Sequence, residues 1–492
     1  MPLWIGLYLP THSLDALFPH WPTRTPVAAV LRKEQVNACT PAAQALGVKT
    51  GMWRGTARGI APDILFGDYS RAAEQHYLQQ VALGLLRYTP NLALFGDHAL
   101  VLEVGASLLL FKGPRCLWRQ LLVTTKSLGL NARLGMAPTA QGAWIMARQI
   151  QSRQRRALQI KSLRRRLDPL PITMLPAACA HVDWLQAIGC HTLKQLNNLP
   201  RAGLQQRSSP LLVQALDAAY GGIDNYFAWF EAPDFFSQRI DLVERLEHAQ
   251  AVEFAAKRLI EQLCGWLQAR CVAVDTLFFN LHHEKGRHAR PPSCIVLRFS
   301  QPSWLPGDFA RILAEQLRRT TLNAPVIAIE LSIADTTPRP AASQSLFPDP
   351  SQWLTKERHV LDLLRARLGP TRVLYAQPQA DYRPECANRW GPLKADLPSA
   401  SSAPPQMPAC SRPFWLLPVP LTLATHNDHP VYNGVALHLI QGPERVESGW
   451  WTESGHELRD YFIAQDRHNA RYWIYRQRES LQAHWFLHGL FG

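Results

Sequence analysis

The residues with the plainest chemical use are cations. Between Val104 and Leu167 the chain holds thirteen lysines and arginines and not one aspartate or glutamate: Lys112, Arg115, Arg119, Lys126, Arg133, Arg148, Arg153, Arg155, Arg156, Lys161, Arg164, Arg165 and Arg166. A solvated helix face mixes signs, so an unbroken run of one sign points to an anionic partner. A phosphate backbone fits best, because each neutralised phosphate releases counterions. The plain alternative is a basic linker ahead of Pro169. The dense end of the run, Arg148, Arg153, Arg155, Arg156, Lys161, Arg164, Arg165 and Arg166, supplies the candidate DNA contacts. A net charge of +14 on 492 residues agrees with a nucleic-acid partner. A second phosphate device lies at 182–200, VDWLQAIGCHTLKQLNNLP, which reads as helix, tight turn at Gly189, helix. Such a helix-hairpin-helix aims backbone N–H groups at a phosphate without reading bases, although an ordinary helical hairpin has the same spacing.

Metal, disulfide and membrane chemistry find little support. The nine cysteines are odd in number and form no CxxC pair, which argues against a zinc module and a secreted disulfide framework. His282, His283 and His288 lack a cysteine or acidic cluster to complete a metal site and read as a polar loop. The opening MPLWIGLYLPTHSLDAL has no basic n-region, and no apolar run reaches the roughly 18–20 residues of a membrane span. A cytoplasmic protein that needs no cofactor is the expectation.

The elements that must position these groups can be read from spacing. Length predicts several domains, since one core does not serve 492 residues. Residues 3–9 read as a buried strand stopped by Pro10, and Thr25–Val30 and Val36–Cys39 as further strands. Residues 71–88 show helical spacing, 99–104 and 107–111 read as paired strands, and Gln141–Ile150 as a helix. Residues 176–235 form a helical unit. Within 240–336 a long amphipathic helix (253–268), strands at 272–281, 293–299 and 326–333 and a helix at 308–319 predict a small open sheet with helices on one face. Pro-rich stretches at 337–352 and 395–413 read as linkers around a short helix (354–368), and 414–475 as a small β unit.

Several of these strings resemble the Y-family, or translesion, DNA polymerases. GVKTGM (47–52) is similar to a turn in that family's fingers, LVLEVGASLLLFKG (100–113) to its palm strands, and RLGMAPTAQGAWIMAR (133–148) to the palm strand and helix that follow. The resemblance implies an α+β multidomain right hand. Palm would take 1–24 and 74–168, fingers 25–73, a helix-hairpin-helix thumb 169–236 and a little finger 237–336. Beyond it would come a linker (337–353) and a C-terminal partner-binding extension (354–492) with a small β-rich unit.

The likeness also exposes what is missing. Joining nucleotides needs divalent metals held by carboxylates. Where the family's first palm strand carries two aspartates, this chain has Gly6 and Tyr8; where it carries an Asp-Glu pair, this chain has His98 and Ala99, with Asp97 one residue earlier. Glu103 matches a structural acid, not a metal ligand. The fingers Tyr and Arg that grip a triphosphate correspond to Pro41 and Gln44, and the palm Lys to Ala140, beside Thr139. The expectation is a pseudo-polymerase with no catalytic, nucleotide-binding or metal-binding residues; the alternative is an active lesion-bypass polymerase with relocated ligands, Asp97 among them.

That combination resembles the ImuB family of bacterial mutagenesis proteins. So do the tail strings RPFWLLP (412–418), GPERVESGWW (442–451), Arg459-Asp-Tyr and WIYR (473–476). The resemblance implies an SOS-induced accessory factor that binds the sliding clamp, an ImuA-type RecA-like protein and a separate error-prone polymerase of replicative type. A clamp-binding peptide is short and extended, with a Gln and a terminal Leu-Phe that fills a pocket. Ser343, Gln344, Ser345, Leu346 and Phe347 match it, with Gln344 one place later than usual. Gly489-Leu-Phe491 is a poorer rival. The Trp and Tyr residues at 450–475 read as the core of the β unit, with a docking face as the alternative.

Overall fold

The structure, a computed structural model, describes residues 2–18, 26–150, 154–284, 290–322, 324–339, 350–379, 381–392, 411–451, 456–478 and 484–491. They form two compact units, Met1–Arg367 and Leu368–Gly492.

The chain opens on strand β1 (Trp4–Tyr8) and helix α1 (His12–Leu17). A three-stranded fingers sheet follows, β2 (Ala28–Arg32), β3 (Gln35–Cys39) and β4 (Leu65–Asp68), in the order β3-β2-β4 with α2 (Pro41–Ala45) and α3 (Arg54–Ile60) inserted. Helix α4 (Arg71–Leu85) returns the chain to β5 (Leu92–Phe95), β6 (Ala99–Glu103), α5 (Pro114–Ser127), β7 (Arg133–Ala137) and α6 (Ala140–Arg148). The palm sheet runs β5-β6-β1-β7, with every pairing antiparallel. Strand β1 is central and covered on both faces, which is why its sequence is a continuous apolar run. Ile5, Leu7 and Leu9 meet α4 in one core, while Trp4, Tyr8 and Gly6 lie on the other face with α6.

The strand expected at 107–111 does not form. The partner of β6 on that side is β5, joined to it through Gly96–His98. Residues 105–113 make turns: Glu103 Oε1 caps Gly105 N at 2.9 Å, and Gly113 N donates to Leu108 O at 2.8 Å. The run LLLF has no period-two alternation. Leu108 and Phe111 pack inward at a spacing of three, and Leu109 and Leu110 face out.

The thumb-like unit comprises α7 (Ile160–Leu167), α8 (Pro176–Cys179), α9 (Val182–Ala187), α10 (Leu193–Asn198), α11 (Arg201–Arg207) and α12 (Pro210–Tyr220). Its leucines share a core with α6. The chain then crosses the palm: Phe230 N donates to Leu92 O at 2.7 Å, Phe227 packs 5.1 Å from Trp4, and Trp229 stacks on Trp4 at 6.2 Å.

The little-finger-like unit holds β8 (Ser237–Leu246), α13 (Ala249–Arg270), β9 (Val272–His283), β10 (Ser293–Ser303), α14 (Pro306–Arg319), β11 (Val326–Ile333) and β12 (Thr337–Pro338). The sheet order is β10-β9-β11-β8, and β12 pairs with β9. Helix α15 (Pro350–Leu368) docks here: buried Asp362 accepts the Ser300 backbone N–H at 2.8 Å and also its hydroxyl. Helix α13 packs against α4, tied by Arg87 to Glu261 at 2.5 Å and by Arg258 to Gln80 at 3.3 Å.

The second unit has a hairpin, β13 (Leu374–Pro378) with β14 (Asn388–Pro392). After it come β15 (Trp415–His426), β16 (His429–Tyr432), β17 (Val435–Ala436), β18 (His438–Ser448), β19 (Glu457–Gln465), β20 (Arg471–Gln477) and β21 (Trp485–Leu490). They make a seven-stranded sheet, β17-β16-β15-β21-β20-β19-β18. Arg459 donates to Glu385 at 2.9 Å and to the Tyr461 hydroxyl at 3.1 Å, and Tyr461 stacks on Trp473 at 4.1 Å. The aromatic stretch divides: Tyr461, Trp473 and Tyr475 are core, whereas Trp450 and Trp451 are exposed. The fold is thus mixed α/β and multidomain, with a C-terminal β-rich sheet.

The approach of α13 to α4 at Gly265 gives a test of sign. A Cβ at Gly265 of α13 would lie 1.8 Å from the Leu83 carbonyl oxygen of α4. In an open helix Gly→Ala stabilises by about 1 kcal/mol. Gly265→Ala should instead lower the thermal midpoint by several degrees, and a raised midpoint would show that the two helices do not meet this way.

Candidate functional site

Local sequence places each position that the resemblance singled out. Thr139 caps α6: its hydroxyl oxygen accepts Gly142 N at 3.1 Å and its O–H donates to Ala219 O in α12 at 3.1 Å. The helix is thereby fixed to the thumb-like unit and laid across β1. A Cβ built on Gly6 would sit 2.6 Å from Trp144 N, 2.7 Å from Ala143 C and 2.8 Å from Ala143 O. On β7, Gly135 stands opposite Gly6 and meets the same helix, its Cβ position 2.2 Å from Ala143 O. Atoms at these distances overlap, so no side chain fits at position 6 while α6 stays where it is. A carboxylate is excluded by space as well as by residue type. Tyr8 is half-buried on this face, paired with Ala99 and Arg133.

At the other carboxylate position, His98 Nδ1 lies 2.8 Å from His12 Nε2, and that nitrogen lies 3.2 Å from Glu74 Oε2. The Ser13 hydroxyl donates to the other Glu74 oxygen. His12 is buried, and burial, aided by the neighbouring His98, holds its basicity below the usual histidine value against the pull of Glu74. Ala99 is buried, Asp97 is exposed in the turn, and Glu103 is used as a strand cap. Asp15 on α1 accepts the Thr11 hydroxyl at 2.9 Å, and burial pushes its carboxyl up to about 6. Glu74, Glu103 and Asp15 are committed to hydrogen bonds within the fold. The donor set at the palm centre does not fit a divalent ion, and among the described residues no group of three His, Cys, Asp or Glu side chains is arranged to hold one.

The positions that the resemblance assigns to nucleotide contact carry no cationic or phenolic side chain. Pro41 begins α2, Gln44 donates its side-chain amide to Cys39 O at 3.4 Å, and Ala140 is buried at the start of α6. Sequence reading missed the buried His12–His98–Glu74 chain. It also missed a cleft lined by Thr11, Asp15, Thr40, Pro41, Lys126 and Asn131. The three groups come from α1, α4 and the turn before β6, which lie far apart in the chain, so no local signal joined them.

The basic run separates into two roles. Arg148 donates to Met174 O at 2.8 Å and stacks 4.7 Å from Trp144, Arg155 donates to Gln149 O at 3.1 Å and Ile150 O at 3.2 Å, and Arg166 donates to Gln154 O. Those three guanidinium groups staple backbone. Lys161, Arg164 and Arg165 lie on the exposed side of α7, opposite buried Leu163 and Leu167. Arg156 is exposed and lies 5.4 Å from the Trp118 ring, while Arg153 falls outside the described residues.

At the helical hairpin, Thr192 and Gln195 form a reciprocal cap, and Gly189 adopts φ +79° between the helices. His282 bonds Glu330 at 2.9 Å and His283 bonds Ser293 at 2.7 Å; His288 lies outside the described residues. Ser343 to Phe347 also lie outside them. No described helix is long and apolar enough to cross a membrane.

Comparison with known proteins follows the same lines. Residues 20–148 match the profile of the IMS family, described as impB/mucB/samB. The chain is 25% identical over 471 residues to Protein ImuB of Caulobacter vibrioides, spanning 91% of this chain and 100% of that protein. Among solved structures, a Dbh ternary complex is 14% identical over 68% of this chain and 99% of its own, with a TM-score of 0.38. DinB from Sulfolobus solfataricus is 14% identical over 69% of this chain and 100% of its own, with a TM-score of 0.36.

The closed space at position 6 is measurable. Gly6→Ala should cost about 3 kcal/mol of stability in urea unfolding, the range for forcing atoms into a packed site. Gly55→Ala, where a Cβ meets nothing within 4 Å, should cost none. Equal behaviour of the two variants would show that α6 does not cover β1.

Proposed function

We propose that the chain is a member of the ImuB family and a non-catalytic accessory factor of damage-induced (SOS) mutagenesis. It holds DNA and the sliding clamp and brings an error-prone polymerase of replicative type to the lesion. The observation that carries this reading is the backbone of α6 against Gly6, which leaves no room for a metal-binding carboxylate at position 6 of the central strand. Chemistry that moves a phosphoryl group needs those metals to neutralise developing charge. The body therefore works by tethering.

DNA contact falls to Lys161, Arg164 and Arg165 on α7, together with Arg153 and Arg156, and the turn at Gly189 meets a further phosphate. Arg148, Arg155 and Arg166 support that surface by holding its backbone in place. The clamp is held by Leu346 and Phe347 as anchors, with Ser343, Gln344 and Ser345 completing the motif. The C-terminal region, 354–492, takes the ImuA-type partner and the polymerase. Exposed Trp450 and Trp451 suit such docking, since indole rings give much contact area at little entropic cost. The setting is the bacterial cytoplasm, at the nucleoid.

A primer-extension assay with Mg²⁺ or Mn²⁺ should show no incorporation by the purified chain; synthesis that disappears in Asp97→Ala would establish an active polymerase with relocated ligands. A pair of variants should separate the two grips. Lys161→Ala/Arg164→Ala/Arg165→Ala should reduce the slope of log affinity for duplex DNA against log salt by about 2–3, at roughly 0.9 per phosphate contact, and leave clamp binding alone. Leu346→Ala/Phe347→Ala should do the reverse. Clamp affinity that survives the latter change refutes the linker assignment.

A further inference from the structure

We propose that the outward face of α5, with the turn that leads into it, is a docking surface for an acidic protein segment that carries apolar anchors. The turn presents its leucines on purpose-built geometry. Leu108 and Phe111 are drawn into the core, Phe111 lying 5.3 Å from the Tyr88 ring, and Lys112 N donates to Leu109 O at 3.2 Å. Pinned from within, the turn leaves Leu109 94% and Leu110 72% exposed. Adjacent aliphatic side chains so fully in water, on a turn held at both ends, mark an interaction site more often than a neutral surface.

The helix continues the pattern. Leu117, Leu121, Thr124 and Thr125 are its buried side. Arg115, Arg119, Leu122 and Lys126 follow at spacings of four, three and four, so they share one stripe opposite that side, and all four are exposed. Arg156 reaches the same flank, where Arg115, Trp118, Arg119 and Arg156 line one open cleft. No carboxylate occurs from Gly105 to Arg166, and among the described residues no ion pair engages Arg115, Arg119 or Arg156. The surface therefore alternates cation and aliphatic without an anion of its own.

Charge complementarity selects the occupant. Nucleic acid would satisfy the cations and leave Leu109, Leu110 and Leu122 in water. Bases stack on open aromatic faces, and Arg156 already covers Trp118. An acidic segment with leucine-like anchors satisfies both features, its carboxylates forking onto guanidinium groups and its anchors burying the three leucines. A short amphipathic helix laid along α5 has the matching spacing. Arg156 is common to this surface and the DNA contacts, whereas Leu109, Leu110, Arg115, Arg119 and Leu122 belong to this surface alone, so variants at those positions test it independently of the DNA reading.

The test uses the full chain and fluorescence anisotropy with three labelled probes: a helical peptide of alternating Leu and Glu turns, its Lys-for-Glu counterpart, and an oligo-dT strand. The acidic peptide should bind and the basic one should not. Arg115→Glu/Arg119→Glu and Leu109→Ser/Leu110→Ser should each weaken the acidic peptide about tenfold or more. The leucine pair is solvent-exposed, so its replacement leaves the melting curve unchanged, and it should leave oligo-dT affinity unchanged as well. Equal binding of acidic and basic peptides, or wild-type affinity in both variants, overturns the proposal. Displacement of the peptide by oligo-dT, with matching loss of oligo-dT affinity in Arg115→Glu/Arg119→Glu, assigns the surface to nucleic acid and overturns it too.

Discussion

The contact of α6 with β1 and β7 is the constraint on which the rest of the molecule rests. Gly6 and Gly135 face each other across the two strands, and α6 descends onto them until its Ala143 carbonyl occupies the space a side chain would need. The same helix is tied at its start to α12 through Thr139 and buries Ile145 and Met146 in the core it shares with the thumb-like helices. Close packing of this kind is cooperative: dispersion and burial accumulate only when the surfaces touch without a gap. The backbone of α6 that closes this contact fills the space a side chain at position 6 or 135 would need.

The ionisable groups around that contact are satisfied within the fold. The acids nearest the palm centre, Glu74 and Asp15, are buried and paired with hydroxyls or imidazole. Buried charge is costly unless fully satisfied, so Asp15 is pushed toward its neutral form and His12 is kept neutral more readily than a free histidine. The cations divide in the complementary way. Those that meet backbone carbonyls, Arg166 of α7 among them, order the region after α6, whereas Arg115 and Arg119 on α5 and Lys161, Arg164 and Arg165 on α7 are exposed.

The tail shows how a recognisable string becomes structure. The Arg459-Asp-Tyr motif resolves into Arg459 bonded to Glu385 and Tyr461, Asp460 bonded to Arg445 at 3.0 Å, and Tyr461 stacked on Trp473. These residues hold a sheet together, while Trp450 and Trp451 of the neighbouring string stay outside. Motif identity alone did not distinguish core aromatics from surface ones.

Much of the architecture was legible because it is local. The apolar run of β1, the helical spacing of α4 and α13, the Gly189 turn with its Thr192 cap and the one-sign basic stretch all follow from periodicity, capping and charge, which are properties of neighbours in the chain. The run 107–111 misled for the same reason. Four apolar residues without alternation do not declare a strand, and only the pairing of β5 with β6 left that segment to turn outward. The sequence by itself determined which chemical groups exist: no carboxylate at positions 6, 8, 98 or 99, and a surplus of cations. Tertiary structure alone decided that position 6 has no room to regain one, that His12, His98 and Glu74 meet, and which arginines are free. Each of those depends on segments distant in the chain being packed against one another, and packing geometry is not a property of any single stretch of residues.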